Sequence, residues 1–137
     1  MTLKELLNTH DQFAAKNGVQ LTEVQEGYVK AQMTVTPDHL NAGGVCQGGA
    51  LFTLGDLAFA ALMNSRGKLT FGIENSISYL HSAKVGDVLT AEATEVHNHH
   101  KIPYCEVKIT NQDGCLVCAM TGLAYRKDVE MSFEGLM

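Results

Sequence analysis

Asp56 is the only charged residue between Asp38 and Arg66, and its neighbours Leu54, Leu57, Ala58 and Phe59 are apolar. A carboxylate in such company is costly unless it is paired, hydrogen-bonded or kept for a reaction. Eight residues earlier, Gly48 and Gly49 fall where a long apolar helical stretch begins. The first N–H groups of a helix lack intrahelical acceptors, and glycine lets a ligand approach the backbone closely. Such a pair suits an anion or the oxyanion of an acyl-transfer reaction, and the carboxylate suits attack on a carbonyl or deprotonation of water. Both features also have plainer uses. The glycines would let a buried helix pack tightly against strands, and Asp56 would face water or bond a loop hydroxyl. Along one helix the eight residues span about 12 Å. For both groups to act on one carbonyl, two chains must place their central helices side by side and antiparallel.

Other reactive side chains fit weaker patterns. His97, His99 and His100 lie in "HNHH", which reads as a hairpin end, with no carboxylate or cysteine at ligand spacing to make a metal site. No metal is expected. Cys115 and Cys118 have the CxxC spacing, but in a strand residues three apart point to opposite faces, so packing is the expected role. Cys46 stands near a helix N-terminus with only His39 as a nearby imidazole, and is read as a buried packing residue rather than a nucleophile. Ser76 and Ser78 lie outside any Gly-x-Ser-x-Gly setting, which excludes that serine-hydrolase pattern.

The elements that must position these groups are legible in outline. Thr2 and Glu5 have capping-box spacing, and Leu3, Leu6, Leu7, His10, Phe13 and Ala14 follow helical spacing up to Asn17-Gly18, predicting one short helix over 2–17. From Thr22 to Thr36, Val29, Ala31, Met33 and Val35 alternate with polar residues, predicting the first strand. The glycine-rich loop "HLNAGGVCQGG" then leads into a helix of about 17 residues ending near Asn64, about 25 Å long. Strands are expected around 69–81, 87–98, 102–110 and 115–127, joined by short turns that imply antiparallel pairing. Because the long helix is apolar around most of its circumference, it must be enclosed. The simplest solution is α+β: a curved antiparallel sheet of about five strands wrapped around one central helix. The strand containing "ENSISYLHS" is well placed for a subunit interface.

The 137 residues are the size of one domain, with neither repeat nor linker. Ten Lys and Arg against fifteen Asp and Glu give a net charge of −5, with no global attraction for nucleic acid or anionic lipid. Lys4, Glu5 and Asp11 interrupt the apolar residues of "MTLKELLNTHDQF", unlike a signal peptide or membrane span. A cytoplasmic location, no membrane association and free thiols are therefore expected.

The run "NAGGVCQGGALFTLGDLAFAA" resembles the hotdog-fold acyl-CoA thioesterases of the phenylacetyl-CoA and 4-hydroxybenzoyl-CoA type, whose motif places His-Gly-Gly before an Asp or Glu. "SISYLHSAKVGDVLTAEATEVHNHHKIPYCEVKITNQDGCLVCAMTGLAYRK" looks like the continuation of that family, so the resemblance covers about Val24 to Lys127. It implies a hotdog fold, a single domain over 1–137, an acyl-CoA substrate, no cofactor beyond the coenzyme A of that substrate, and a homo-oligomer, either a dimer or a dimer of dimers. It further implies that the Gly48 N–H donates to the thioester carbonyl, that Asp56 is nucleophile or general base, and that Asn41 holds the attacking water or supports the loop. By the same resemblance Gly49 belongs to the substrate-binding turn, and His99, His100 and Lys101 lie near the coenzyme phosphates. Gln47 stands where the family has histidine; glutamine donates and accepts hydrogen bonds but does not titrate. Ala60 leaves unfilled a position where some relatives carry a hydroxyl. Two other functions compete: a hotdog (de)hydratase, against which Gln47 argues, and a non-catalytic acyl-CoA binding protein, which Gln47 favours.

Overall fold

The structure, a computed structural model, describes residues 1–131; the single domain expected over 1–137 thus extends to 132–137, outside the described residues. Helix α3 (Gly48–Asn64) runs through the middle, and its 17 residues match the length expected from the apolar run. Leu51, Leu54, Leu57, Ala58, Phe59, Ala61, Leu62 and Met63 are buried around nearly its whole circumference. Fully enclosing side chains such as Leu54 and Leu62 contributes about 1.5–3 kcal/mol each.

The enclosure is one antiparallel sheet of six strands: β1 (Gln20–Gln25), β2 (Tyr28–Thr34), β3 (Lys68–Tyr79), β4 (Val88–His97), β5 (Tyr104–Thr110) and β6 (Leu116–Glu130). Their spatial order is β1-β2-β4-β5-β6-β3, which leaves β1 and β3 at the edges. Strict alternation builds the inner face: Val29, Ala31 and Met33 of β2, Leu89, Ala91 and Ala93 of β4, and Cys105, Val107 and Ile109 of β5 are all buried.

Three expectations need correction. The first strand, expected over 22–36, is a hairpin: Gln25 pairs with Tyr28, and Glu26 and Gly27 make the turn, Gly27 at φ +79°. Counting β1 and β2 separately makes six strands instead of about five. The N-terminal helix expected over 2–17 is two, α1 (Leu3–His10) and α2 (Gln12–Lys16). Asp11 divides them because its carboxylate accepts from Ala14 N–H at 3.0 Å and so caps a new helix start. The Thr2–Glu5 capping box opens α1 as the sequence indicates. Among the described residues no helix is long and apolar enough to cross a membrane.

Candidate active site

The N-terminus of α3 is held from three sides. Asn41 Oδ1 accepts from the N–H groups of Gly43 (2.9 Å) and Val45 (3.2 Å), folding the glycine-rich loop back on itself. Cys46 N–H then donates to Ala83 C=O at 2.7 Å, and Gln47 N–H to His39 C=O at 2.8 Å, which fixes where the helix starts. Gln47 is the N-cap, but its side chain makes no capping bond. Its carbonyl accepts from Ala50 and Leu51. The N–H groups of Gly48 and Gly49 therefore have no acceptor among the described residues, as expected where a helix begins.

Tyr79, from the end of β3, explains why position 48 is glycine. Its ring lies over Gly48, so that a Cβ there would stand 3.0 Å from the ring, and its hydroxyl donates to Gly48 C=O at 3.2 Å. Sequence reading missed Tyr79, whose place depends on strand register. A cavity of about 330 Å³ opens beside it, lined by Asn41, Val45, Gly48, Leu51, Tyr79 and His81 among others. Gln47 and Gly49 line a different cavity of about 280 Å³, toward α2, with Phe13, His39 and Thr53. The helix start thus divides the expected residues between its two sides.

Asp56 lines neither cavity. It is exposed in the single chain, yet the protein around it is dense enough that desolvation, followed by the charge of Asp11, raises its pKa above the ordinary carboxylate value. No salt bridge or hydrogen bond engages its carboxylate among the described residues. The bland expectation of a bond to a loop hydroxyl does not hold here, and the other, facing water, does.

His99, His100 and Lys101 lie beyond the opposite end of α3, in the β4–β5 connection. Glu95, two residues before His97, is bonded to Arg66, which follows the helix C-terminus. His99 Nδ1 accepts from the N–H groups of Lys101 and Ile102, both at 3.0 Å, so the proton of the neutral ring sits on Nε2. His99 stacks on His100 with ring centroids 4.4 Å apart. Desolvation, then His100, His97 and Arg126, lower the His99 pKa. Among the described residues no group of three or more His, Cys, Asp or Glu is arranged to hold a metal ion.

Cys46 is unsuited to nucleophilic attack, because burial pushes its thiol pKa up to about 11. His39 cannot assist: Nδ1 accepts from Thr36 N–H at 2.9 Å, and Nε2 donates to Asn17 C=O at 2.7 Å. Cys118 is buried within β6, whereas Cys115 lies just before that strand and is exposed.

A helix N-terminus without a side-chain cap and a carboxylate without a partner among the described residues are groups that can stabilise an oxyanion and act as a base or nucleophile. The thioesterase superfamily profile matches residues 43–118. The chain is 39% identical over 124 residues to a protein of Archaeoglobus fulgidus that carries an esterase name, covering 90% of this chain and 80% of that one. It is 33% identical to the acyl-coenzyme A thioesterase PaaI of Escherichia coli, covering 92% and 94%. The solved E. coli PaaI protein, from the phenylacetic acid degradation operon, superposes with a TM-score of 0.84 at 30% identity, over 96% of this chain and all of that one. A thioesterase structure from Streptococcus pneumoniae, solved with coenzyme A, superposes with a TM-score of 0.78 at 32% identity, covering 83% and 91%. The chain belongs to the thioesterase superfamily; its architecture is the hotdog fold and its activity class is thioester hydrolase.

Proposed function

We propose that the protein is an acyl-CoA thioesterase that hydrolyses an acyl- or aroyl-CoA to the free acid and coenzyme A. The reading rests on one observation: α3 carries an N–H at Gly48 and a partly desolvated carboxylate at Asp56, both without partners among the described residues. The Gly48 N–H would take the thioester oxygen as negative charge develops, a contribution of roughly 3–4 kcal/mol where such donors have been removed. Asp56 would act as nucleophile or general base. Asn41 supports the oxyanion loop, while Gln47 and Gly49 shape the turn.

The active form in this reading is a homo-oligomer, a dimer or a dimer of dimers, because Gly48 and Asp56 of one chain are about 12 Å apart along the helix. Edge strand β3 favours it: Ile73 and Tyr79 on the strand, and Leu80 just after it, are each more than half exposed, and the strand has a neighbour on one side only. Antiparallel helices would also bring His99, His100 and Lys101 of one chain toward Gly48 of the other, where the coenzyme phosphates would lie. The competing reading, an acyl-CoA binder without turnover, is favoured by the non-titrating Gln47. A cytoplasmic location accords with the absence of a membrane-crossing helix among the described residues.

Thiol release from a panel of acyl- and aroyl-CoA thioesters tests the reading. Turnover is expected, with kcat at least a hundredfold lower in Asp56→Asn while acyl-CoA binding persists; binding without turnover in the parent would establish the binder instead. Gly48→Pro removes the N–H at the first helical position, whose backbone suits proline, and its ring also presses on Tyr79, so either effect disables the site. Co-refolding equal amounts of Asp56→Asn and Gly48→Pro should restore about a quarter of parent activity, since about half the dimers are mixed and each has one intact site. No recovery, with exchange verified by mass spectrometry, would refute the shared site.

A further inference from the structure

Asn75 stands on the inner face of β3, paired in register with Gly122 of β6. Among the described residues neither its buried Nδ2 nor its Oδ1 has a hydrogen-bond partner. An orphaned buried amide is uncommon and calls for an explanation. Nothing local supplies one. Gly122 flanks it without a side chain, and the ring of Phe59 fills the space that Cβ atoms on Gly122 and Gly72 would take. A Cβ built on Gly122 would run into Phe59 Cε1 and meet Asn75 Nδ2 at 2.8 Å, so amide and ring edge lie side by side.

The levels along α3 show what Asn75 is near. Gly48 lies against Tyr79, Gly55 lies against Met120, whose partner on β3 is Ile77, and Phe59 lies against Gly122, whose partner is Asn75. Asp56 therefore stands at a level between Ile77 and Asn75. It also sits one turn from Phe59, within neighbour distance on the helix surface. Ile77 offers no hydrogen bond, and Ala60, one turn beyond Asp56, has no hydroxyl. On the inner face of β3, Asn75 is the polar side chain closest in level to the carboxylate. Nδ2 is closed off by Phe59 and Gly122, whereas Oδ1, also without a partner among the described residues, is not fully buried.

We propose that Asn75 and Asp56 of one chain together hold the water that attacks the thioester. The proposal rests on the thioesterase reading and assigns Asp56 the general-base route. One hydrogen of the water is donated to the Asp56 carboxylate and the other to Asn75 Oδ1, which leaves a lone pair directed at the carbonyl carbon. The carbon–oxygen bond forms as the proton passes to Asp56, and negative charge moves to the carbonyl oxygen. Collapse of the tetrahedral intermediate breaks the carbon–sulfur bond, and the departing sulfur takes the proton from Asp56. Asn75 in this scheme fixes the second hydrogen, so the water is oriented before the substrate arrives.

Asn75→Ala tests this by moving rate and stability in opposite directions. Kcat should fall roughly ten- to a hundredfold with KM within about threefold. The melting temperature should stay at or above that of the parent, because the substitution removes an unsatisfied buried group. A residue with a merely structural role would lose stability and keep its kcat per folded molecule. Asn75→Asp supplies a readout independent of turnover: a second carboxylate beside Asp56 should shift the Asp56 titration upward, followed by carboxyl carbon-13 NMR, and carry the acid limb of the rate profile with it. An unshifted Asp56 titration, or an Asn75→Ala variant with parent kcat beside an inactive Asp56→Asn, would overturn this inference alone. An Asp56→Asn variant with parent kcat would overturn the carboxylate assignment on which it stands.

Discussion

The two ends of α3 are finished in opposite ways. At the C-terminal end every prominent polar group has a partner. Asn64 is buried; its Nδ2 donates to Ala60 C=O at 2.9 Å and to Thr70 C=O at 3.0 Å, and its Oδ1 accepts from Thr70 N–H at 2.8 Å. Ser65 Oγ donates to Leu62 C=O, and Arg66 grips Glu95 with two bonds of 2.7 and 2.8 Å. At the N-terminal end the cap side chain makes no capping bond, and among the described residues the N–H groups of Gly48 and Gly49 have no acceptors. Side-chain caps are worth about 0.5–2 kcal/mol, so the open end forgoes stability that the closed end collects. The difference separates the part of the helix that anchors from the part available to a substrate.

The sharpest way to break this contrast is to crowd the open end. Gly48→Ala puts a methyl group 3.0–3.2 Å from the Tyr79 ring, whereas Gly49→Ala meets only the far end of the Gln47 side chain. Thiol release should therefore fall on the order of tenfold or more in Gly48→Ala, as expected for a misplaced oxyanion donor, and much less in Gly49→Ala; equal losses would detach Tyr79 from the site. At the closed end, Asn64→Ala strips three hydrogen bonds and leaves the Thr70 N–H and C=O without their partner. Denaturant melts should show a loss of about 1–3 kcal/mol, with kcat per folded molecule unchanged within twofold. The smallest effect belongs to Glu95→Gln. Its bond to Arg66 holds the Glu95 pKa below the ordinary value. The stability it brings is thus present above the unfolded-state pKa and is lost as pH falls through the lower folded value. Because the pair is partly exposed, the loss near neutral pH should be at most about 1 kcal/mol and should shrink with added salt. A loss independent of salt would assign the effect to packing instead.

What could be read from the sequence follows from how local each signal is. The bounds of α3 are legible because an apolar run is set between Gly48-Gly49 and Arg66-Gly67, and burial on all sides requires such a run. Gly48 and Asp56 stand out for the same reason, one as a gap in the side chains and the other as a lone charge. The β1–β2 hairpin is hidden because the clear alternation belongs to Val29, Ala31, Met33 and Val35, while Glu26-Gly27 interrupts a stretch that is polar on either side. The helix break at Asp11 is hidden because Phe13 and Ala14 keep an approximate helical spacing across it. Tyr79 over Gly48 and Asn75 beside Phe59 depend on the β3–β6 register and its irregularity between Gly72 and Glu74, information that no short window of sequence contains. Gln47 drew notice as a departure from a motif, but its side chain lies on the other side of the helix start from Tyr79.

The unequal burial of the four cysteines decides how the enzyme behaves as a reagent. Burial pushes Cys46 and Cys118 up to about 11 and Cys105 up to about 12, so almost none of these thiols is ionised at neutral pH, and each is shielded from solvent. Cys115, at the turn before β6, is exposed. Since the thiolate is the reacting species, an aromatic disulfide dye added to the folded protein should colour quickly with one equivalent per chain and then stop. Colour beyond that plateau would come from released coenzyme or from chains that have lost their fold. Cys115 is likewise a ready handle for attaching a single fluorophore, at a point well away from both ends of the central helix along the chain.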